Sequence, residues 1–89
     1  MSSRKLILTN KRGLHARAAT KLVQCCQPFS AKVAIYRDQQ RADADNIMSL
    51  LMLGAPYGTE LLVSAEGEDA EAALEAVEAL FTARFDEDA

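Results

Sequence analysis

Two hydrophobic periods run through this chain. Leu6 and Leu8 fall on one side of residues 5–9, with Lys5, Ile7 and Thr9 on the other. Ala31, Val33 and Ile35 share a side over residues 31–36, as do Leu61, Val63 and Ala65 over residues 60–65. A period of two belongs to a half-buried strand, so three strands are predicted here. Residues 16–27 instead place Ala19, Leu22, Val23 and Cys26 at i, i+3, i+4 and i+7, and residues 70–85 gather Ala73, Leu74, Val77, Leu80 and Phe81 into one stripe. Both stretches read as amphipathic helices. Pro28 closes the first, and Asp69 is placed to cap the second, whose Glu71, Glu75 and Glu78 form a solvated opposite face.

Breakers organise the remainder. Asn10, Lys11, Arg12 and Gly13 form a loop, and Asp38, Gln39 and Gln40 turn the chain into a short polar strand over residues 41–44. Asp45 or Asn46 can cap a short helix over residues 47–53, since either side chain can accept from an orphan backbone N–H; Gly54 ends it, and residues 55–58 are a loop. The acidic residues 86–88 read as a fraying end. The order is β-α-β-β-α-β-α without an internal repeat. Strands with one apolar face and helices with one apolar stripe predict an α+β fold: an open-faced two-layer sandwich with a four-stranded, antiparallel sheet and three helices on one face. Eighty-nine residues leave room for one domain, residues 1–89.

Composition adds little beyond solubility: 49% hydrophobic and 26% charged residues are ordinary for a globular chain, and large multi-domain enzymes are excluded. Charge adds more, because the net −3 conceals a division. Residues 1–41 carry nine basic residues against Asp38, a balance of +8, whereas residues 42–89 carry Arg84 against twelve acids, a balance of −11. The basic half either faces an anionic partner or attracts the acidic half within the domain. Nucleic acid is the weaker partner class, since beyond Phe29 and Tyr36 the basic half has no aromatic to stack a base. Near the amino terminus only Leu6, Ile7 and Leu8 are consecutive apolar residues, against roughly 7–15 in a signal h-region and about 18 in a membrane span, so neither is expected and the expected compartment is the cytoplasm. Cys25 and Cys26 are adjacent, which disfavours a bridge between them, and one histidine with a cysteine pair does not make a metal site.

One segment joins position to chemistry. In Gly13-Leu14-His15-Ala16-Arg17 the glycine permits a turn that a bulkier residue would hinder, His15 stands at a helix entrance, and Arg17 lies in the first turn. A helix amino terminus offers unpaired N–H groups and a partial positive charge, and a guanidinium adds a forked donor set; together they suit a phosphoryl group. Imidazole is in good part unprotonated near neutral pH and is then a nucleophile. A lone histidine at a helix start also serves as a cap or an exposed residue without chemistry, and the physics alone leaves both readings open. No paired carboxylates flank it for acid–base hydrolysis, and no hydroxyl nearby sits in a nucleophile motif.

The run Gly13-Leu14-His15-Ala16-Arg17-Ala18-Ala19 resembles the phosphorylation-site motif of the HPr family, small phosphocarriers of the phosphoenolpyruvate-dependent phosphotransferase system. The resemblance continues through Asn46-Ile47-Met48-Ser49-Leu50-Leu51-Met52-Leu53-Gly54 and Ser64-Ala65-Glu66-Gly67-Glu68-Asp69, in the same element order. Within the family the chain is most similar to the nitrogen-related branch, through Leu50-Leu51-Met52-Leu53 and the ending Ala79-Leu80-Phe81 with Phe85-Asp86-Glu87-Asp88. The resemblance implies that His15 accepts a phosphoryl group on Nδ1 from an enzyme I-type phosphotransferase and passes it to a histidine of an enzyme IIA-type protein. Arg17 and the backbone N–H groups of Ala16 and Arg17 would hold the phosphate. Partners would dock on Ile47, Met48 and Leu51, ringed by Thr20, Lys21 and Gln24. It implies a carrier rather than an enzyme, with no metal or organic cofactor, monomeric with transient complexes and without membrane insertion.

Two departures matter. Ala18 stands where the family usually has proline, so the fixed φ of a first-turn proline is missing while an N–H donor is gained. Asn46 stands where some sugar-system members have a regulatory serine, and without a hydroxyl that control is expected to be absent. Ala18 also keeps alive an alternative: an HPr-like binding module that docks partners without a phosphoryl relay.

Overall fold

The computed structural model describes residues 1–88. Its elements follow in the order β1 (Ser2–Ile7), α1 (Ala16–Cys26), β2 (Lys32–Arg37), β3 (Gln40–Asp43), α2 (Ile47–Met52), β4 (Glu60–Glu66) and α3 (Ala70–Thr82). The strands form one antiparallel sheet in the order β1-β4-β2-β3. The core lies between this sheet and the helices, α3 packing on β1, β4 and β2, with α1 against α3 and α2. The α+β open-faced sandwich predicted from the sequence is the fold observed.

Each strand buries the face its pattern names. Leu6 and Leu8 are buried while Ile7 is half exposed, and Ala31, Val33, Ile35, Leu61, Val63 and Ala65 are all buried. Strand β1 starts three residues before the predicted stretch, because the register Ser2↔Ala65, Ser3↔Ser64 and Arg4↔Val63 on β4 supplies a ladder to a polar segment. It stops at Ile7, and Leu8 closes on the loop before β4 through Leu8 N–H to Thr59 O (3.0 Å) and Gly58 N–H to Leu8 O (2.8 Å). In α1 the buried positions are Ala18, Ala19 and Leu22, with Val23 and Cys26 at the margin. The predicted stripe is therefore displaced by Ala18, which lies fully within the core.

Both capping expectations resolve in the structure. Asn46, not Asp45, caps α2, its Oδ1 accepting from Ser49 N–H at 3.1 Å. Asp69 occupies the cap position of α3 but makes no side-chain cap bond. Its carboxylate instead accepts from Ser30 N–H (2.9 Å), Ala31 N–H (2.8 Å) and Ser30 Oγ (3.3 Å), tying the start of β2 to α3. The Ser30 N–H foremost, then Ala31 N–H and the Ser30 hydroxyl, hold this carboxyl below its ordinary range against the opposing effect of burial.

The carboxyl-terminal segment corrects two expectations. Helix α3 ends at Thr82 rather than reaching residue 85, and residues 86 and 87 do not fray. Arg84, Phe85 and Asp86 are all left-handed, at φ 55°, 55° and 62°, which costs roughly 3–6 kcal/mol over three non-glycine residues. Burial of Phe85, fully enclosed and tilted against Phe81 with ring centroids 5.1 Å apart, opposes this, since truncating such a ring costs about 3–5 kcal/mol. Lys21 Nζ adds hydrogen bonds to Phe85 O (2.9 Å) and Asp86 Oδ2 (3.3 Å). The tail is thus fastened across the start of α1.

The two charge-segregated halves do pair within the fold. Arg4 bonds Glu78 (2.6 Å) and Glu71 (3.3 Å), so the face of α3 expected to be solvated is partly engaged, and Lys21 meets Asp86. Among the described residues no helix is long and apolar enough to cross a membrane.

Candidate functional site

The loop before α1 is shaped by its backbone. Gly13 is buried at φ +66°, its N–H bonding Asn10 O at 3.1 Å, and Leu14 N–H reaches Ala55 O at 2.9 Å. A Cβ at Gly13 would lie 2.5 Å from Ala55 O and 2.8 Å from Pro56 Cα, so the two loops meet at a distance only glycine allows. Leu14 then turns into the core. His15 follows as the N-cap of α1 with extended backbone (φ −85°, ψ −179°), and its carbonyl accepts from Ala19 N–H at 2.8 Å.

The His15 side chain makes no cap bond and is therefore available for other contacts. Among the described residues no protein acceptor meets the N–H groups of Ala16 and Arg17, the orphans expected in a first helical turn. Arg17 is exposed and, among the described residues, makes neither an ion pair nor a hydrogen bond. An imidazole, two unpaired N–H groups and a free guanidinium therefore share one helix end. With the partial positive charge of that end, such an arrangement has the donors an anion requires.

Two partners of this end are not evident from the sequence reading. His15 Nε2 pairs with Glu87 Oε2 across 72 residues of sequence, and Glu87 Oε1 accepts from Asn10 Nδ2 at 3.2 Å. Asn10 is fully buried; its Nδ2 also donates to Gly13 O at 2.7 Å, while its Oδ1 meets no donor among the described residues. Burial pushes the Glu87 carboxyl up, but hydrogen bonds from His15 and Asn10, with the charges of His15 and Arg12, outweigh it and hold the group below the ordinary carboxylate range. Asn10 reads as a loop residue and Glu87 as part of an acidic end, and no local pattern joins either to His15.

The expected docking residues divide. Ile47 and Met48 are exposed on α2, Met48 at 67%, whereas Leu51 is half buried and packs on the core. Met52, 77% exposed, extends this apolar surface and was not among the expected contacts; its i+4 spacing from Met48 is the signal that places both on one helix face. On α1, Gln24 is exposed and Thr20 Oγ1 donates to Ala16 O at 2.9 Å, while Lys21 is engaged by the tail rather than free. Cys25 and Cys26 lie at the opposite end of α1 as free thiols; the hydrogen bond from Cys26 draws Cys25 down to about 7 and pushes Cys26 up. Among the described residues no cluster of histidine, cysteine and carboxylate groups could hold a metal.

Comparison with known proteins gives the family. Residues 2–83 match the PTS HPr component phosphorylation site family. The chain is 43% identical over 84 residues to phosphocarrier protein NPr of Shewanella violacea, covering 94% of this chain and 92% of that protein. It is 41% identical over 88 residues to phosphocarrier protein HPr of Xylella fastidiosa, covering 99% of each. Its structure is similar to the crystal structure of HPr-C-His from Thermoanaerobacter tengcongensis, with a TM-score of 0.95 and 35% identity over the full length of both chains. The chain therefore belongs to the HPr family of phosphocarriers of the phosphotransferase system, and is similar to members named NPr and to members named HPr.

Proposed function

We propose that His15 is the phosphoryl acceptor, charged on Nδ1 by an enzyme I-type phosphotransferase that draws on phosphoenolpyruvate, and discharged to a histidine of an enzyme IIA-type protein. The observation that supports this best is the shared helix end, where the chain's only histidine stands beside the unpaired N–H groups of Ala16 and Arg17 and the free Arg17 guanidinium. The Nδ1 lone pair forms the new N–P bond as the donor's bond to phosphorus breaks and its electron pair leaves with the donor. The phosphoryl oxygens accept from the two N–H groups, which the helix holds in place before transfer begins, and from the Arg17 guanidinium, which is free to close on them. Ile47, Met48 and Leu51, with Met52 beside them and Thr20, Lys21 and Gln24 around them, form the surface that partners cover. The similarity to NPr proteins favours the nitrogen-related branch.

The test is incubation with phosphoenolpyruvate and nitrogen-type or sugar-type enzyme I in parallel reactions. One acid-labile, alkali-stable phosphoryl group, gained faster with the nitrogen-type enzyme and located on the His15 ring by phosphorus–nitrogen NMR, is expected. No uptake with either enzyme overturns the relay and favours a docking module; faster uptake from the sugar-type enzyme overturns the branch. In the same assay Arg17→Ala should slow transfer about tenfold, the effect of losing one charge-assisted hydrogen bond, with its circular dichroism unchanged.

A further inference from the structure

The tail is held against His15 by more than one feature. Three consecutive left-handed residues, Arg84, Phe85 and Asp86, turn the chain back after α3, and backbone strain of this kind persists only where its surroundings over-determine it. Here Phe85 is fully buried, Lys21 binds the tail at two oxygens, and the buried Asn10 donates to Glu87. What they deliver to the helix end is one carboxylate, on the ring nitrogen of His15 that is not the proposed acceptor. The side chains of His15 and Glu87 are only 15% and 11% exposed, so water competes weakly for the contact.

We propose that Glu87, oriented by Asn10, is a positioning residue for phosphoryl transfer: it accepts the Nε2 proton of His15 and thereby keeps Nδ1 bare and directed to the donors of α1. The inference rests on His15 being the acceptor. A carboxylate on one ring nitrogen fixes which tautomer the imidazole adopts and which way the ring faces. As the Nδ1 lone pair bonds to phosphorus and the phosphohistidine donor's N–P electrons return to its own ring, positive charge develops on the His15 imidazole. The Nε2 proton is not lost; it stays hydrogen-bonded to Glu87, whose negative charge stabilises the developing cation. Arg12, whose charge acts on Glu87, and Asn10 are the other groups facing this carboxylate.

The test compares the full chain with Glu87→Gln and Glu87→Ala, reading His15 ring nitrogens by two-bond proton–nitrogen correlation and transfer from phosphorylated enzyme I over a range of donor concentrations. The wild-type ring is expected with its proton on Nε2. Glu87→Ala should show a mixture of tautomers and a maximal transfer rate about tenfold lower, with half-saturation by the donor unchanged, as follows from losing one charge-assisted hydrogen bond. Glu87→Gln keeps one oxygen that can accept from Nε2, although its NH2 group then faces the Asn10 Nδ2 donor, so it should keep the tautomer and recover only part of the rate. It also guards against a tail that loosens when Glu87 is truncated. Equal rates and ring spectra in wild type and Glu87→Ala overturn the role of Glu87, and faster transfer by Glu87→Ala overturns it by making the tail a cover. A wild-type chain that takes up no phosphoryl group overturns the acceptor assignment itself, and that result is read without either variant.

Discussion

His15→Ala is expected to take up no phosphoryl group from a charged enzyme I, while remaining folded. The chain has no second imidazole to substitute. Its thiols lie ten and eleven residues further along α1, about 15 Å or more away at 1.5 Å per residue, beyond the reach of a donor docked at the helix start. The Lys21 amine is occupied by Phe85 O and Asp86, and a hydroxyl ester formed at Thr20 would survive acid where a phosphohistidine does not. Structure should change little, because the His15 side chain contributes no cap bond and the capping geometry lies in its backbone. The variant loses the contact with Glu87, worth about 1.5–3 kcal/mol for a hydrogen bond to a charged group, and Glu87 keeps Asn10. Mass spectrometry at alkaline pH and urea denaturation read the two consequences separately. Residual uptake above background in the alanine variant would move the acceptor elsewhere.

The periodic parts of the fold were legible because burial has the same period as the element. Alternation at Val33 and Ile35, and at Leu61, Val63 and Ala65, marks β2 and β4, and the stripe from Ala73 to Phe81 marks α3. What escaped was decided by tertiary contact. Ser2, Ser3 and Arg4 have no strand pattern of their own and are extended because β4 offers unpaired backbone beside them. Phe85 falls four residues after Phe81, and helical spacing therefore counts it into α3. The structure brings the same ring under the same face by a left-handed turn after Thr82, a route that hydrophobic spacing does not distinguish from helix.

The candidate site divides along the same line. Gly13, His15 and Arg17 are readable because their meaning is local: a turn, a cap position and a first-turn cation within five residues. Glu87 is not readable, since its carboxylate acquires meaning only when the end of the chain crosses the start of α1. Asp86 and Glu87 look like solvated charge, yet one meets Lys21 and the other His15. The segregation of basic and acidic halves did contain this information in coarse form. The same division that offers Arg17 to an anion also draws the acidic tail to the basic end, and both uses coexist because Arg17 itself is left unpaired by it.

Gly13→Ala should be among the most destabilising single substitutions outside the core, and it should also impair transfer. Its Cβ would lie 2.5 Å from Ala55 O, 2.8 Å from Pro56 Cα and 2.9 Å from Pro56 C, all backbone atoms that no rotamer change can move aside. The loops must part, which strains or breaks the Leu14 N–H to Ala55 O bond, and alanine must in addition hold φ near +66°. Left-handed strain of about 1–2 kcal/mol and a lost buried hydrogen bond of about 1–3 kcal/mol give a destabilisation of roughly 2–5 kcal/mol. Gly58→Ala separates the two causes, since Gly58 has φ +87° but nothing within 4 Å of its Cβ position. It should cost only the strain, about 1–2 kcal/mol. Urea midpoints of the two variants should therefore differ clearly, and equal midpoints would show that the contact between loops contributes nothing. Because His15 is two residues beyond Gly13, the parted loop also displaces the ring from the donors of α1. Phosphoryl transfer by Gly13→Ala, measured where the variant remains folded, should fall by about a hundredfold for a displacement near 1 Å, whereas Gly58→Ala should transfer at the wild-type rate.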